Sequence, residues 1–186
     1  MAKKEKVLYT YKIMTTDQSM PRAVVSAIIE KIENGERYVF VQTRWKPQAS
    51  PTYLGVLEIP VGGIDSYENA YDAIRREVRE ETGLEITRFV DDEQTPVMES
   101  RPGDTSIAFR PFLCQQALET NGGLPWVGFV FRCEAEGEIT MEPSEAKDPR
   151  WITIDELDGI LTKTPEQVFS LQVATLRYYI DTVRGE

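Results

Sequence analysis

The segment from Gly62 to Leu84, GGIDSYENAYDAIRREVREETGL, constrains this chain more than any other. At about 100° per residue, a helix through it places Ala70, Ala73, Ile74 and Val78 on one stripe, and the same rotation puts Glu77 and Glu81 in the middle of that stripe. Two carboxylates therefore face inward with the apolar residues. An ionised carboxylate is strongly unfavourable in a protein interior unless positive charge compensates it, and the spacing predicts that Arg75, Arg76 and Arg79 project mainly to the other side of the helix. A divalent cation is the simplest missing partner. The competing reading is a solvated amphipathic helix with opposite charges four apart, such as Arg76 with Glu80. It accounts for Arg75, Arg79 and Glu80. It fails for Glu77 and Glu81, which repel each other at that spacing and gain nothing from lying beside Ile74.

Both ends of the helix carry signals. Ser66 is the predicted N-cap, Asp65 and Glu68 are placed where first-turn acids are favoured, and Gly83 follows the last turn where a left-handed cap is wanted. Upstream, Leu57 to Val61 reads as a short extended run containing Pro60, and the Gly62-Gly63 pair lets backbone approach a ligand with no side chain between.

Strand, glycine loop and acidic helix together resemble the Nudix box: glycine, five residues, glutamate, seven residues, Arg-Glu, an aliphatic, any residue, Glu-Glu, any residue, glycine, an aliphatic. The matching positions are Gly62, Glu68, Arg76, Glu77, Val78, Glu80, Glu81, Gly83 and Leu84, with both gaps of the required length. The preceding Glu58-Ile59-Pro60-Val61-Gly62 resembles the Glu-Leu-Pro-Ala-Gly run of the ADP-ribose pyrophosphatase branch, with valine for the commoner alanine. The box covers residues 62–84, and a looser likeness runs from about Ala23 to Leu157.

Composition points the same way. A chain of 186 residues with 41% hydrophobic content can bury a full core as one domain, read as 1–186 with an N-terminal extension over 1–22 and a C-terminal helix over 165–184. The N-terminal MAKKEK leads into polar sequence without a signal-type apolar core, and apolar stretches are only a few residues long. Secretion and membrane spanning are therefore not expected, and the cytoplasm is the default location. Cys114 and Cys133 read as residues packed in strands rather than as a disulfide framework. The chain has no histidine, which excludes serine-histidine triads, histidine-zinc centres and histidine general bases, so carboxylates must carry acid-base work. It also counts against the isomerase branch that shares the Nudix fold. With 31 acidic against 21 basic residues the net charge of −10 opposes binding of long nucleic acid, while a small nucleotide arriving with its metal remains acceptable.

Along the chain, Ala23 to Glu30 and Tyr38 to Arg44 read as strands around an Asn34-Gly35 hairpin. Ser106 to Leu118 and Trp126 to Ala135 are further strands separated by a turn at 121–123, and Trp151 to Ile154 is another. Asp155 to Leu161 reads as a short helix and Pro165 to Val183 as a longer one, with Val168, Leu171, Leu176 and Tyr179 among its apolar positions. This mixture of α and β structure resembles the Nudix α/β/α sandwich, a mixed β-sheet between helices.

The resemblance implies a mechanism. The box glutamates would hold Mg²⁺ or Mn²⁺, with Glu77 and Glu81 as first ligands, Glu80 as a further one, and the main-chain carbonyl of Val61 as the contribution of the branch-specific run. Arg76 and Glu68 would steady the loop and helix, and Glu145, Glu80 and Arg76 form the implied catalytic group. Glu145, in MEPSEAKDPRW, is favoured over Glu142 as the general base and is expected on a mobile loop away from the site until substrate binds; a solvated acidic loop is the competing reading. Arg44, Glu58, Gly62 and Gly63 fall on the substrate side. Phe109, Trp126 and Phe129 are aromatic enough to stack on a base, although core packing explains each better. Three functions fit: a hydrolase splitting a nucleoside diphosphate linked to another moiety, of ADP-ribose or nucleotide-sugar type; a house-cleaning nucleoside triphosphate pyrophosphatase; and a non-catalytic nucleotide sensor. The intact glutamate set disfavours the last, the Glu58–Gly62 run favours the first, and the branch resemblance implies a homodimer.

Overall fold

The computed structural model describes residues 21–186 apart from 49, 91, 92, 122 and 124. The expected N-terminal extension thus lies outside the described residues up to residue 20, and Arg22 already opens the first strand. In chain order the strands and helices are β1 (Arg22–Glu33), β2 (Glu36–Arg44), β3 (Leu57–Glu58), β4 (Val61–Gly63), α1 (Ala70–Thr82), β5 (Glu85–Phe89), β6 (Glu93–Gln94), β7 (Met98–Arg101), β8 (Asp104–Ser106), β9 (Phe109–Arg110), β10 (Leu113–Gln116), β11 (Trp126–Glu136), β12 (Ala146–Thr153), α2 (Ile154–Lys163) and α3 (Val173–Gly185).

A mixed sheet runs in the order β10-β11-β1-β2-β12, with β3 added to β2, β4 to β1 and β5 to β11. β1 and β11 are parallel and the other pairs antiparallel. Period-two alternation divides β1 between two cores. Val25, Ala27 and Ile29 pack with Ala73, Ile74 and Val78 of α1, while Ile28 packs with Leu157 of α2 and Leu176, Tyr179 and Ile180 of α3. The sheet therefore lies between helices, as the family resemblance implies, and β1 is buried from Val25 to Glu30 because both of its faces are covered there. Asn34 (φ 53°) and Gly35 (φ 80°) close the β1–β2 hairpin in the left-handed region that such a two-residue turn requires.

The structure corrects four boundaries. Helix α1 starts from Asn69, whose side chain accepts the Tyr71 and Asp72 N–H groups, and not from Ser66. Residues 65–68 form their own turn, with Tyr67 at φ 65°, which prevents helical continuity before Asn69. The strand expected over Ser106 to Leu118 is three short ones, because β6–β9 and β7–β8 pair with each other and only β10 joins the main sheet. Pro111, with no N–H to donate, lies at the break. Ile154 belongs to α2, captured by a capping box between Thr153 and Glu156. The helix expected over 165–184 begins only at Val173, after two 3₁₀ turns.

That late start has a tertiary cause. Val168 bridges Leu57 and the Phe169 N–H donates to the Leu57 carbonyl at 2.7 Å, which draws the chain out of helical geometry. Gln172, 1% exposed, then acts as a strand partner. Its Oε1 accepts from the Ile59 N–H at 2.9 Å and its Nε2 donates to the Ile59 carbonyl at 3.0 Å. These two bonds fix the main chain between β3 and β4, and with it the approach to Val61 and Gly62.

Gln172→Leu should leave both Ile59 groups buried without partners and lower the free energy of unfolding by about 2–4 kcal/mol, measured by urea denaturation. A loss under about 0.5 kcal/mol would show that these groups find other partners.

Candidate active site

The site forms where β2, β4 and α1 meet. Gln42 and Glu58 are register partners between β2 and β3, so their side chains share a face. Gln42 Nε2 donates to Glu81 Oε2 at 2.9 Å, and the Val61 N–H reaches the same oxygen at 3.3 Å. Lys46 Nζ donates to the other oxygen, Oε1, at 2.7 Å and also pairs with Glu145 Oε2 at 3.1 Å. Glu81 is wholly buried, and burial pushes its carboxyl up to about 7 from the ordinary 4.5, with the Glu58 charge adding to the effect and Lys46 opposing it.

Glu77 lies beneath the glycine loop. A Cβ on Gly62 would fall 1.8 Å from the Glu77 carboxyl carbon, so only glycine leaves room for that carboxylate. Burial raises the Glu77 carboxyl, against the pull of Arg76, whose Nη1 donates to it at 2.6 Å. Arg76 departs from the sequence reading, which turned it away from the acidic stripe. Its guanidinium bonds Glu68 at 2.8 and 2.9 Å, the Gly63 carbonyl at 2.9 Å and Glu80 at 3.3 Å, because a long fork can turn back along its own helix to the loop before it. Glu80 itself is 55% exposed on the outer side of α1.

Arg44 and Glu58 are both buried and hold each other, Nη1 to Oε2 at 2.7 Å, with the guanidinium 4.7 Å from the centre of the Phe169 ring. Among the described residues, Gln42 Oε1, Glu58 Oε1 and Arg44 Nε are buried without a hydrogen-bond partner. Glu145 is not on a separate distant loop. Its carbonyl accepts the Trp45 N–H at 2.8 Å, which continues the β2–β12 pairing by one step and leaves its side chain at the rim. Glu142 instead bonds Ser144 in a solvent-facing turn.

A cleft of about 530 Å³ is lined by Arg22, Arg44, Lys46, Gly62, Gly63, Glu77 and Glu145 among others. The Arg22 guanidinium lies 3.2 Å from where a Gly63 Cβ would be. Trp126, the register partner of Arg22, lines the cleft as well, and Gly128 makes that placement possible, since its Cβ would stand 2.9 Å from the indole. Phe109 and Phe129, by contrast, pack with Tyr71 and Phe131 in the core. Cys133 is buried in that core and Cys114 is exposed on β10, so only the first is a packed strand residue.

A NUDIX domain model matches residues 20–172. The chain belongs to the Nudix family. It is a Nudix hydrolase, an enzyme of pyrophosphate bonds. Among solved structures it is similar to the MutT protein of Methanosarcina mazei Go1 (17% identity, 92% of this chain and 100% of that one, TM-score 0.61). It is also similar to the Nudix domain of Shewanella oneidensis NrtR complexed with ADP-ribose (13%, 76% and 78%, 0.55). An Ap4A hydrolase of C. elegans is a third (13%, 88% and 99%, 0.54). At such identities the likeness is one of fold. No curated protein matches the chain. Among the described residues no helix is long and apolar enough to cross a membrane.

Nudix hydrolases generally use divalent metals such as Mg²⁺ or Mn²⁺, and the residues here fit a hard cation. The donors are all oxygens, Glu77 fills the space a Gly62 side chain would take, and buried acceptor oxygens of Gln42 and Glu58 stand unmatched nearby. Yet the described residues contain no ready-made cluster of three metal-ligating side chains. The protein's own cations hold the carboxylates instead, Lys46 on Glu81 and Arg76 on Glu77. Sequence reasoning missed Lys46, Gln42 and Arg22. The available signal was the polar run Gln42, Arg44, Lys46 at every second position after the core residue Phe40.

The raised Glu81 carboxyl sets two pH dependences. Between about 4.5 and 7 the folded state keeps a proton that the unfolded state has lost, so the metal-free Nudix hydrolase should lose stability as pH rises through that window. A divalent cation held by Glu81 would displace the same proton, so Mg²⁺ affinity measured by calorimetry should rise about tenfold per pH unit up to about 7 and level off above it. A flat profile from pH 5.5 to 8 would contradict a role for Glu81 in metal binding.

Proposed function

We propose that this Nudix hydrolase splits a nucleoside diphosphate linked to another moiety, of the ADP-ribose or nucleotide-sugar type. The observation that carries the reading is one cleft of about 530 Å³ in which Glu77 and the glycine loop face Arg22, Arg44 and Lys46, with an aromatic wall at Trp126. That is room and charge for a diphosphate, with a flat surface for a ring system beside it. The Glu58–Gly62 run supports the same branch, and the NrtR Nudix domain of the same fold is described in complex with ADP-ribose. We place the enzyme in the cytoplasm, acting on small nucleotides as a single domain, with a homodimer as its assembly.

In this reading Glu77 and Glu81 hold Mg²⁺ or Mn²⁺, with the Val61 carbonyl and the exposed Glu80 as further ligands. The ion, when bound, draws charge from the diphosphate and lowers the pKa of the attacking water. The protein supplies the rest. Gly62 and Gly63 let the diphosphate approach the main chain, and Arg22 and Arg44 offset its negative charge. Glu145, at the rim, takes the proton as water attacks phosphorus and the bond to the bridging oxygen breaks. Arg76 and Glu68 do not face the cleft; they hold the loop and Glu77 in place.

With Mg²⁺, ADP-ribose or a nucleotide sugar should give a nucleoside monophosphate and a second phosphorylated product. Hydrolysis confined to nucleoside triphosphates in a substrate screen would select the house-cleaning reading, and binding without turnover the sensor reading. Glu81→Gln should cost on the order of a hundredfold or more in turnover with the fold intact. Glu145→Gln should lower turnover with little effect on metal affinity and Glu142→Gln should be silent; the reverse pattern would move the base to Glu142.

A further inference from the structure

The two oxygens of Glu81 are held differently. Oε2 is fixed by neutral donors anchored in strands, Gln42 Nε2 at 2.9 Å and the Val61 N–H at 3.3 Å. Oε1 has one partner among the described residues, Lys46 Nζ at 2.7 Å. Glu81 has no exposed side-chain surface, whereas Lys46 is 17% exposed and lines the cleft. The ammonium therefore touches the buried carboxylate and borders the cleft at once.

We propose that Lys46 is a built-in counter-cation: it neutralises Glu81 in the metal-free enzyme, yields Oε1 to the divalent ion, and then turns to the diphosphate oxygens in the cleft. The inference rests on the metal-dependent reading above. A lysine suits the part, being a compact charge on a flexible stem, unlike a guanidinium locked by several bonds at once. Glu77 shows the contrast. Its partner Arg76 is also tied to Glu68, Glu80 and the Gly63 carbonyl and has no comparable freedom. Lys46 also pairs with Glu145 at 3.1 Å, so its departure frees a metal ligand and the proposed base in one movement. Lys46 is thus a positioning residue that sets the order of binding, metal before diphosphate.

The test is calorimetric titration of the full chain with MgCl₂ alone at pH 9, well above the Glu81 window because losing Lys46 raises that carboxyl further, comparing wild type with Lys46→Gln. Removing the competing charge should tighten Mg²⁺ binding about tenfold, while the metal-free variant melts at a lower temperature and Mg²⁺ restores most of the difference. ADP binding in saturating Mg²⁺ should weaken severalfold. Lys46→Arg keeps the charge and grips a carboxylate with a fork, and should bind Mg²⁺ no tighter than wild type, which keeps the test available should Lys46→Gln fail to fold. Equal or weaker Mg²⁺ binding by folded Lys46→Gln, or tighter binding by Lys46→Arg, overturns the proposal and leaves the metal-dependent reading standing. Unchanged ADP affinity overturns the turn toward the diphosphate. Mg²⁺ binding by none of the three proteins overturns the metal reading and this proposal together.

Discussion

A buried carboxylate needs partners, and those of Glu81 come from parts of the chain remote in sequence. Gln42 and Lys46 reach it from the end of β2 and the loop beyond, the Val61 N–H from β4, and the carboxylate itself comes from the last turn of α1. Removing one partner of such a group leaves uncompensated charge in the interior, at a cost of about 3–5 kcal/mol. The helix is thus joined to the sheet by a polar contact as well as by its apolar stripe of Ala73, Ile74 and Val78. The same contact aims the acidic face of α1 at the glycine loop. Stability and the proposed chemistry share these atoms, and the burial that fixes the carboxylate also raises its proton affinity.

Around that joint the loop is fixed from both sides. Arg76 ties α1 to Glu68 and to the Gly63 carbonyl, and Gln172 supplies strand-like bonds to Ile59 just upstream. Pro60 sits between the two anchored stretches without an N–H of its own to satisfy. The consequence is a main chain whose position over Glu77 is set to within the width of a missing Cβ. Rigid placement of this kind lets a diphosphate approach without reorganising the site at the moment of reaction. Among the described residues, the Lys46 ammonium is held in that arrangement by Glu81 and Glu145 alone, on the long stem of a lysine.

The far end of β1 carries a second buried charge cluster, with Glu30 bound by Arg132, Arg37 and the Tyr179 hydroxyl. All three partners come from different elements, β11, β2 and α3, and burial raises the Tyr179 hydroxyl well above its ordinary value, with the Glu30 charge reinforcing the effect. This cluster locks α3 to the sheet at the end opposite the cleft. Glu186 joins it through Arg132 and Arg37.

Much of this was legible in the sequence for physical reasons. Helical spacing placed Glu77 and Glu81 among apolar residues, and both are indeed withdrawn from solvent, because burial of one face of a helix follows its periodicity whatever it packs against. Asn34-Gly35 and Gly83 marked their turns because left-handed backbone depends on the residue itself. Long-range pairing was not legible. The extension of Val168 toward Leu57 and the hold of Gln172 on Ile59 depend on what lies opposite in space. The sequence by itself determined the secondary-structure periods, the acidic helix and its family. Only the tertiary structure decided which cation holds each carboxylate, because the reach of Lys46 and Arg76 exceeds any local spacing and their partners are chosen by the packing of β2, β4 and α1.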